Sequence, residues 1–412
     1  MKHFDASTPV VVLNAKLAAL GIMRSLGKKG VRVFGVDSDP SLPAMRSRFC
    51  AGHLLLDLER EQPDVIVDRL VAFASELGAK PVLFWTSDET ALLCARHAAR
   101  LSASFRLPVN DPDVVDGLQN KAGMYGLARE HGIPVPHTEF PQCEDDVVRS
   151  LANMQFPIMV KAAVGSRLFA RTGTKMQLAQ NPEHLLWLYR RLEDPEAPNL
   201  MLQEAIPGGD DQVYIFNGYF DANSECLNPY TGHKLRQFPV HVGCASLGVC
   251  RTDERVSQLT QDFMRRLGYR GVLDIGYRLD PRDGEYKVLD VNPRIGQAFR
   301  IFVGADNDDV SRDMYLDLTG QPRQRSRPRE GRRWVIEDYD IISSNDYRRE
   351  GALTLGAWIG SFRGVQECAW WWWQDPVPFL VRMTEFIKVQ IPRRLSAMRQ
   401  MSISKKQPPA AS

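Results

Sequence analysis

The sequence predicts an α/β domain built on a parallel sheet, followed by an α+β region and a helical C-terminal end. Pro9–Leu13 (PVVVL), a helical repeat of Leu17, Leu20, Ile22, Met23 and Leu26, and the strand Val31–Val36 form a β-α-β pattern. Such a unit requires parallel strands joined by a right-handed crossover. Downstream, strands come as hairpins, most clearly Gly271–Leu279 and Tyr286–Leu289 around Asp280-Pro281-Arg282-Asp283-Gly284. Pro and Gly there supply the backbone angles of a tight reversal. Near the end, Asp375-Pro376 opens a helix whose Val377, Phe379, Leu380, Met383, Phe386 and Ile387 lie largely on one face.

The 412 residues, 44% hydrophobic and 25% charged, describe a soluble globular protein of two or three domains. A net charge of +2 points to no nucleic-acid partner. The Cys residues (50, 94, 143, 226, 244, 250, 368) are odd in number, with no C-x-x-C, so neither a disulfide framework nor a zinc ribbon is expected. Only Lys2 and His3 precede a short apolar run broken by Lys16, unlike a signal peptide, and no uncharged apolar stretch could span a bilayer. The expected location is the cytoplasm.

Val31–Val36 ends at Asp37, which invites a ribose contact. The preceding loop, Asn14-Ala15-Lys16-Leu17, lacks G-x-G-x-x-G, which disfavours a nicotinamide site. A helix at Pro63–Leu77 and a strand at Pro81–Trp85 continue the pattern. Thr86-Ser87-Asp88-Glu89 follows at the carboxyl end of that strand, where Ser87 or Asp88 serves as helix cap or as substrate contact. Asn110-Asp111-Pro112 starts another helix, and the domain closes near Asp116.

Lys121 opens the next helix, a position unfavourable to the helix dipole and suited to holding an anion. Lys161 ends the apolar strand Phe156–Ala162, where an ammonium needs a negative partner such as phosphate. The loop Ala163–Thr174, with Gly165, Ser166 and Gly173, leads to Lys175 and suits a flexible cover over phosphates, although no P-loop exists. In Leu200–Ile206, Gln203 and Glu204 interrupt an apolar run before Pro207-Gly208-Gly209-Asp210-Asp211. Glu204 and the Ile206 peptide offer an acceptor and a donor to a purine; equally, Glu204 is the outward residue of an edge strand. Val213–Phe220 and His233–Val242, the latter with Arg236, read as antiparallel strands, and Ser257–Leu267 as a helix ended by Gly268.

Asp290, Asn292 and Arg294 occupy alternate positions at the end of the hairpin strand and so share one face. The hairpin brings Asp274 alongside. Two carboxylates, an amide oxygen and a guanidinium suit a hard cation beside an anion. They would serve also as hairpin-stabilising groups, with Arg294 in an ion pair.

Taken in order, these pieces resemble the ATP-grasp superfamily of carboxylate–amine ligases, with VLDVNPR (residues 288–294) the most specific stretch. The resemblance implies a Rossmann-like pre-ATP-grasp domain over 1–117, an ATP-grasp domain over 118–322, and a C-terminal extension with a Trp-rich amphipathic helix over 323–402. A disordered tail would follow at 403–412. It implies that Lys121 and Lys161 touch the phosphates of ATP, that Gln203, Glu204 and Ile206 lie at the adenine, and that Asp211 lies at the ribose. Asp274, Asp290 and Asn292 would hold Mg²⁺, or Mn²⁺ in its place. Arg294 and Arg236 would face the transferred phosphoryl and acyl oxygens. The family usually carries Glu where Asp290 stands, and some members carry their earlier acid where Gly276 stands, which leaves that role to Asp274. The implied reaction activates a small-molecule carboxylate as an acyl phosphate and joins it to an amine. Carboxylation or phosphorylation of a small acid is the alternative within the superfamily. Outside it stands an inactive nucleotide-binding protein docked at membranes. A homodimer fits the resemblance.

Arg323–Arg333 reads as a basic linker. Trp370–Trp373, the following helix and Arg393, Arg394, Arg399, Lys405 and Lys406 suit contact with the inner face of a membrane, or a helix packed on the enzyme body.

Overall fold

The run VVVL at Val10–Leu13 (β1) is fully buried, as expected of a strand inside a parallel sheet with helices on both sides. With Val33–Asp37 (β2), Cys50–Leu55 (β3) and Val82–Trp85 (β4) it forms a parallel sheet of order β3-β2-β1-β4. Helix Leu17–Gly27 packs on one face and Pro63–Glu76 on the other. The chain winds from β1 toward β2 and β3 and then returns beyond β1 to β4, so the β1–β4 boundary is a topological switch point. Asn14, at φ 64, makes the turn after β1 where a glycine-rich loop is missing. Asp37 closes that turn by accepting from Ala15 N at 3.0 Å and is not free for a ribose.

The computed structural model describes residues 4–163, 165–174, 176–194 and 196–388. Lys175, Arg393, Arg394, Arg399, Lys405, Lys406 and the tail at 403–412 lie outside the described residues.

A second sheet, antiparallel, takes Thr138–Glu139 (β5), Ile158–Ala162 (β6), Met176–Ala179 (β7) and Leu200–Glu204 (β8) in the order β5-β8-β6-β7. Its apolar side, Ile158, Val160, Leu200 and Leu202, packs on helix Pro182–Leu192. One expectation is corrected here: the supposed flexible cover contains a helix, Gly165–Thr172. Arg167, Leu168 and Arg171 suit helix better than loop, and Leu168 is anchored in the core of this sheet.

The third sheet joins Val213–Phe220 (β9), Tyr230–Phe238 (β10), Cys244–Cys250 (β11), Gly271–Asp280 (β12), Glu285–Asn292 (β13), Arg333–Val335 (β14) and Val365–Cys368 (β15) in the order β13-β12-β9-β10-β11-β14-β15. The hairpin β12–β13 forms, with Asp274 opposite Asn292 and Gly276 opposite Asp290. Its neighbours Phe299, Ile301 and Phe302 share a core with helix Leu17–Gly27. Gly21 is what permits that approach, because a Cβ there would lie 2.6 Å from Phe299 Cε1.

The chain beyond 322 is woven into this body. β14 pairs with β11 and β15 with β14. Within the expected linker, Arg323 Nη2 donates to Asp221 Oδ2 at 2.7 Å and Ser326 is buried. Trp334 and Trp370 are buried, and Trp372 stacks on Phe49 at 5.2 Å with Lys28 Nζ 3.7 Å above its ring. Trp371 and Trp373 remain exposed. Asp375, expected to cap the helix that here runs over 377–388, turns instead to the first domain. It accepts from Arg24 Nε at 2.9 Å, Ser47 Oγ at 2.7 Å and Arg48 N at 2.9 Å. A buried guanidinium outweighs an exposed cap as a partner, because leaving it unpaired is costly. No helix among the described residues is long and apolar enough to cross a membrane.

Arg24 and Asp375 are both buried, so Asp375→Ala leaves a cation without its anion. The expected loss is about 3–5 kcal/mol of unfolding free energy by urea denaturation; a loss below about 1 kcal/mol would show that the latch carries no stability.

Candidate functional site

Several backbone elements bring their polar side chains together here, two of them helices and the others strands of the second and third sheets. Asn120 caps helix Lys121–Glu130, its side chain accepting from Ala122 N at 2.9 Å, and this sets Lys121 at the first helical position. From there the Lys121 ammonium pairs with Asp290 on β13 and also lies 3.4 Å from Leu289 O. Asn292 Nδ2 donates to Asp290 Oδ2 at 3.0 Å, and Arg294 Nη2 donates to Asn292 Oδ1 at 2.9 Å. Arg294 Nε reaches back to Asp88 Oδ1 at 2.7 Å. Asp290, Asn292 and Arg294 are thus linked on one side of the strand end, with Lys121 and Asp88 closing the chain.

On the facing sheet, Lys161 Nζ donates to Gln203 Oε1 at 2.7 Å, and Gln203 Nε2 donates to Tyr125 Oη at 2.7 Å and Thr138 Oγ1 at 2.8 Å. Lys161 and Gln203 share a face because Met159 pairs with Gln203 and the strands alternate. The same alternation turns the Glu204 carboxylate away from Lys161, to Gln155 N at 2.9 Å and Arg282 Nη1 at 3.3 Å. Ile206 follows, its peptide N–H and C=O making no hydrogen bond among the described residues. Asp211 is exposed in the turn Asp210–Gln212, which Arg278 Nη2 ties to β12 through Gly208 O at 2.5 Å.

The electrostatics divide the site. The surrounding protein works against charge on Asp290, but Lys121 and Asn292 overcome it and hold the carboxyl well below the usual range. Burial also opposes the Lys121 ammonium, and Asp290 more than restores it. Lys161 has no carboxylate at hand: burial, helped by repulsion from Lys121, lowers it to about 7. Asp274 is pushed up to about 6 by burial, with Arg294 and Lys234 pulling the other way. Its carboxylate makes no hydrogen bond among the described residues, and Gly296 leaves room for it, since a Cβ there would lie 1.9 Å from Asp274 Oδ2.

This donor set fits a hard divalent cation: one carboxylate raised for want of a partner, a second beside it, and an amide oxygen. No group of three His, Cys, Asp or Glu side chains among the described residues could hold a metal ion. Further coordination would fall to ligand oxygens and water.

Arg236 stands apart from this group. Its Nε and Nη2 grip Asp340 at 2.7 and 2.9 Å in a buried pair, and Nη1 meets Ser361 Oγ at 2.9 Å. The register of β10 against β11 shifts on both sides of Arg236, which breaks simple alternation. Lys234, two residues earlier, lies near Asp274 instead, with Nζ on Gly243 O at 2.9 Å. Sequence reading missed Lys234, two residues before Arg236 on the same strand, and Tyr125, one helical turn beyond Lys121.

No protein-family model matches the chain. The D-aspartate ligase of Enterococcus faecium (strain Aus0004) is 25% identical over 302 residues, spanning 70% of this chain and 71% of its own. Among solved structures, N5-carboxyaminoimidazole synthetase from Staphylococcus aureus complexed with ADP superposes with a TM-score of 0.61 at 11% identity, over 85% of this chain and 88% of that one. The biotin carboxylase domain dimer of Hydrogenobacter thermophilus 2-oxoglutarate carboxylase, in complex with MgADP, ADP and bicarbonate, gives 0.60 at 14% identity, over 79% and 73%. At these identities the likeness to the solved structures is one of fold.

Replacing Gly296 by Ala drives a methyl into Asp274 Oδ2. The expected result is a loss of divalent-cation affinity of about 10- to 100-fold, measured by titration of the full chain, with the far-ultraviolet circular dichroism unchanged. Unaltered affinity would remove Asp274 from the cation site.

Proposed function

We infer that this chain, an ATP-grasp protein of the carboxylate–amine ligase-like kind, activates an acid as an acyl phosphate and joins it to an amine, releasing ADP and phosphate. The observation that carries the reading is the gathering of two cationic side chains, Lys121 on Asp290 and Lys161 on Gln203, with Asn292 beside Asp290 and Asp274 across the hairpin. Phosphoryl transfer is catalysed by positioning and charge neutralisation, and this arrangement supplies both without a protein nucleophile.

In this reading Lys161 and Lys121 take the phosphates of ATP, and the unbonded Ile206 peptide meets the adenine edge. Gln203 fixes Lys161 and is fixed in turn by Tyr125 and Thr138, so the ammonium is oriented before nucleotide arrives. Glu204 lies on the adenine side, its carboxylate held by Gln155 and Arg282 and its N–H by His137 O. Asp211 is the ribose contact. Asp274, Asp290 and Asn292 hold Mg²⁺, or Mn²⁺ in its place, which when bound neutralises charge on the phosphates. Arg294 orients the attacking carboxylate and stabilises the oxyanion formed when the amine adds. Lys234 is the second cation beside Asp274, in the role first given to Arg236. A homodimer is part of the proposal, supported by the dimeric biotin carboxylase domain of the same fold.

Release of ADP and phosphate from MgATP across pools of acids and amines tests the reading. A pair that stimulates release is expected, and Asp290→Ala should cut it by about 10²- to 10³-fold, the scale of a lost electrostatic stabiliser. Stimulation by bicarbonate alone, or phosphorylated acid as the final product, would replace it with the carboxylase or kinase alternative.

Lys161, at about 7 in the free protein, is mostly neutral above that pH and is protonated again beside bound phosphate. Its folded value lies below the ordinary one, so nucleotide binding takes up a proton and weakens as pH rises. Between pH 7.5 and 9 the ATP dissociation constant is expected to rise by up to about tenfold per pH unit. Calorimetry in buffers of different ionisation enthalpy reads the proton, and Lys161→Met should abolish both effects.

A further inference from the structure

The helix over 377–388 turns its charged side chains toward the body of the protein. Arg382 Nε donates to the buried Asp338 Oδ2 at 2.8 Å, and its guanidinium lies 5.5 Å from the centre of the Trp370 ring. Glu385, the one acid of this helix, accepts from Arg382 Nη1 at 3.3 Å. Phe379, on the same side, packs against the core that contains Trp334 and Trp370. At 3.6 residues per turn, Val377, Leu380, Thr384 and Ile387 fall on the opposite side, at three- and four-residue spacing. Leu380 is 56% exposed and Ile387 51%. A surface helix ordinarily gives its outer face to charged and polar residues. Here three of the four outward positions are apolar.

Two tryptophans enlarge this face. Trp373, in the turn before the helix, is 72% exposed, and the exposed Trp371 meets Phe379 edge-on at 5.3 Å. Exposed apolar groups gathered in this way mark an interaction surface. The charge that follows is of one sign. After Glu385 the sequence carries Lys388, Arg393, Arg394, Arg399, Lys405 and Lys406 and no acid; all but Lys388 lie outside the described residues.

We propose that this outer face docks on an anionic lipid surface. Trp371, Trp373, Val377, Leu380 and Ile387 enter the boundary between headgroups and acyl chains, and the basic residues after the helix meet the lipid phosphates. Stable attachment of this kind takes two signals, an apolar one and a polybasic one, and both are present in sequence. The helix, at about 1.5 Å per residue, is far shorter than a hydrocarbon core of about 30 Å, so it lies in the plane of the surface. A second copy is the poorer occupant. A two-fold contact sets the same patch against itself and would bring two basic segments together. None of these residues belongs to the ligase site, so docking and catalysis are separable.

Flotation of the full chain with vesicles of mixed phosphatidylglycerol and phosphatidylcholine, against phosphatidylcholine alone, tests the proposal. Attachment to the anionic vesicles is expected, weakening as salt is raised. Trp373→Ser with Leu380→Ser should lower the partition coefficient by at least about tenfold, the scale of one large apolar side chain left in water. Both positions are exposed, so the urea midpoint should stay where it is. Arg393→Gln with Arg394→Gln should lower partition by about fivefold per residue. Failure of the full chain to float overturns the proposal. Equal flotation of the Trp373 and Leu380 variant also overturns it, leaving attraction by charge alone. A dimer that this variant turns into monomers in sedimentation would give the face to a second copy and overturn the lipid assignment.

Discussion

Arg294 ties the parallel domain to the end of β13, and much of the molecule is arranged around that contact. Its Nε faces Asp88 from the parallel domain and its Nη2 faces Asn292 at the end of β13. Asn292 passes the connection to Asp290, and Asp290 to Lys121. Charges of alternating sign therefore run in one line from the first domain, through the β13 end, to the helix that opens the second. Such a line is mutually supporting, each charge facing an opposite charge or a hydrogen-bond partner.

The line works only if the first domain and the long sheet are fixed against each other. Packing does this through Phe299, Ile301 and Phe302 against helix Leu17–Gly27, at the closeness Gly21 permits. The C-terminal segment does it a second time. Arg24, on that same helix, donates to Ala369 O, Trp370 O and Asp375, so β15 and its tryptophans hold the parallel domain against the sheet they extend. Arg300 and Arg332 converge on Glu367 of β15, and Arg300 also reaches Asp309. The region after 322 is thus a structural part of the body that carries the site.

Against that frame of interactions, two groups whose burial outweighs the opposite charges near them stand out. Lys161 is lowered to about 7 and Asp274 raised to about 6. Both shifts run in the direction burial dictates, and both would be reversed by the charges an ATP-grasp site receives: phosphate for the one, a divalent cation for the other.

Local chemistry was legible in the sequence wherever spacing fixes geometry. Period-two alternation put Asp290, Asn292 and Arg294 on one side, the Asp280–Gly284 turn brought Asp274 across the hairpin, and Asn120 set Lys121 at a helix start. VVVL announced a parallel sheet, because a strand apolar on both faces has nowhere else to go. What the sequence left open depends on partners distant along the chain. Arg236 and Lys234 exchange roles because a register shift, unseen in the residues themselves, turns Arg236 to Asp340. Glu204 meets Arg282, 78 positions away, and Asp375 meets Arg24, 351 positions away. The apparent loop after Lys161 becomes helix because Leu168 finds a core to enter. Sequence alone determined which side chains could do the chemistry and the elements that present them. Which of them are free to do it was decided by tertiary structure, since a charge is available only if no partner from elsewhere in the fold has already taken it.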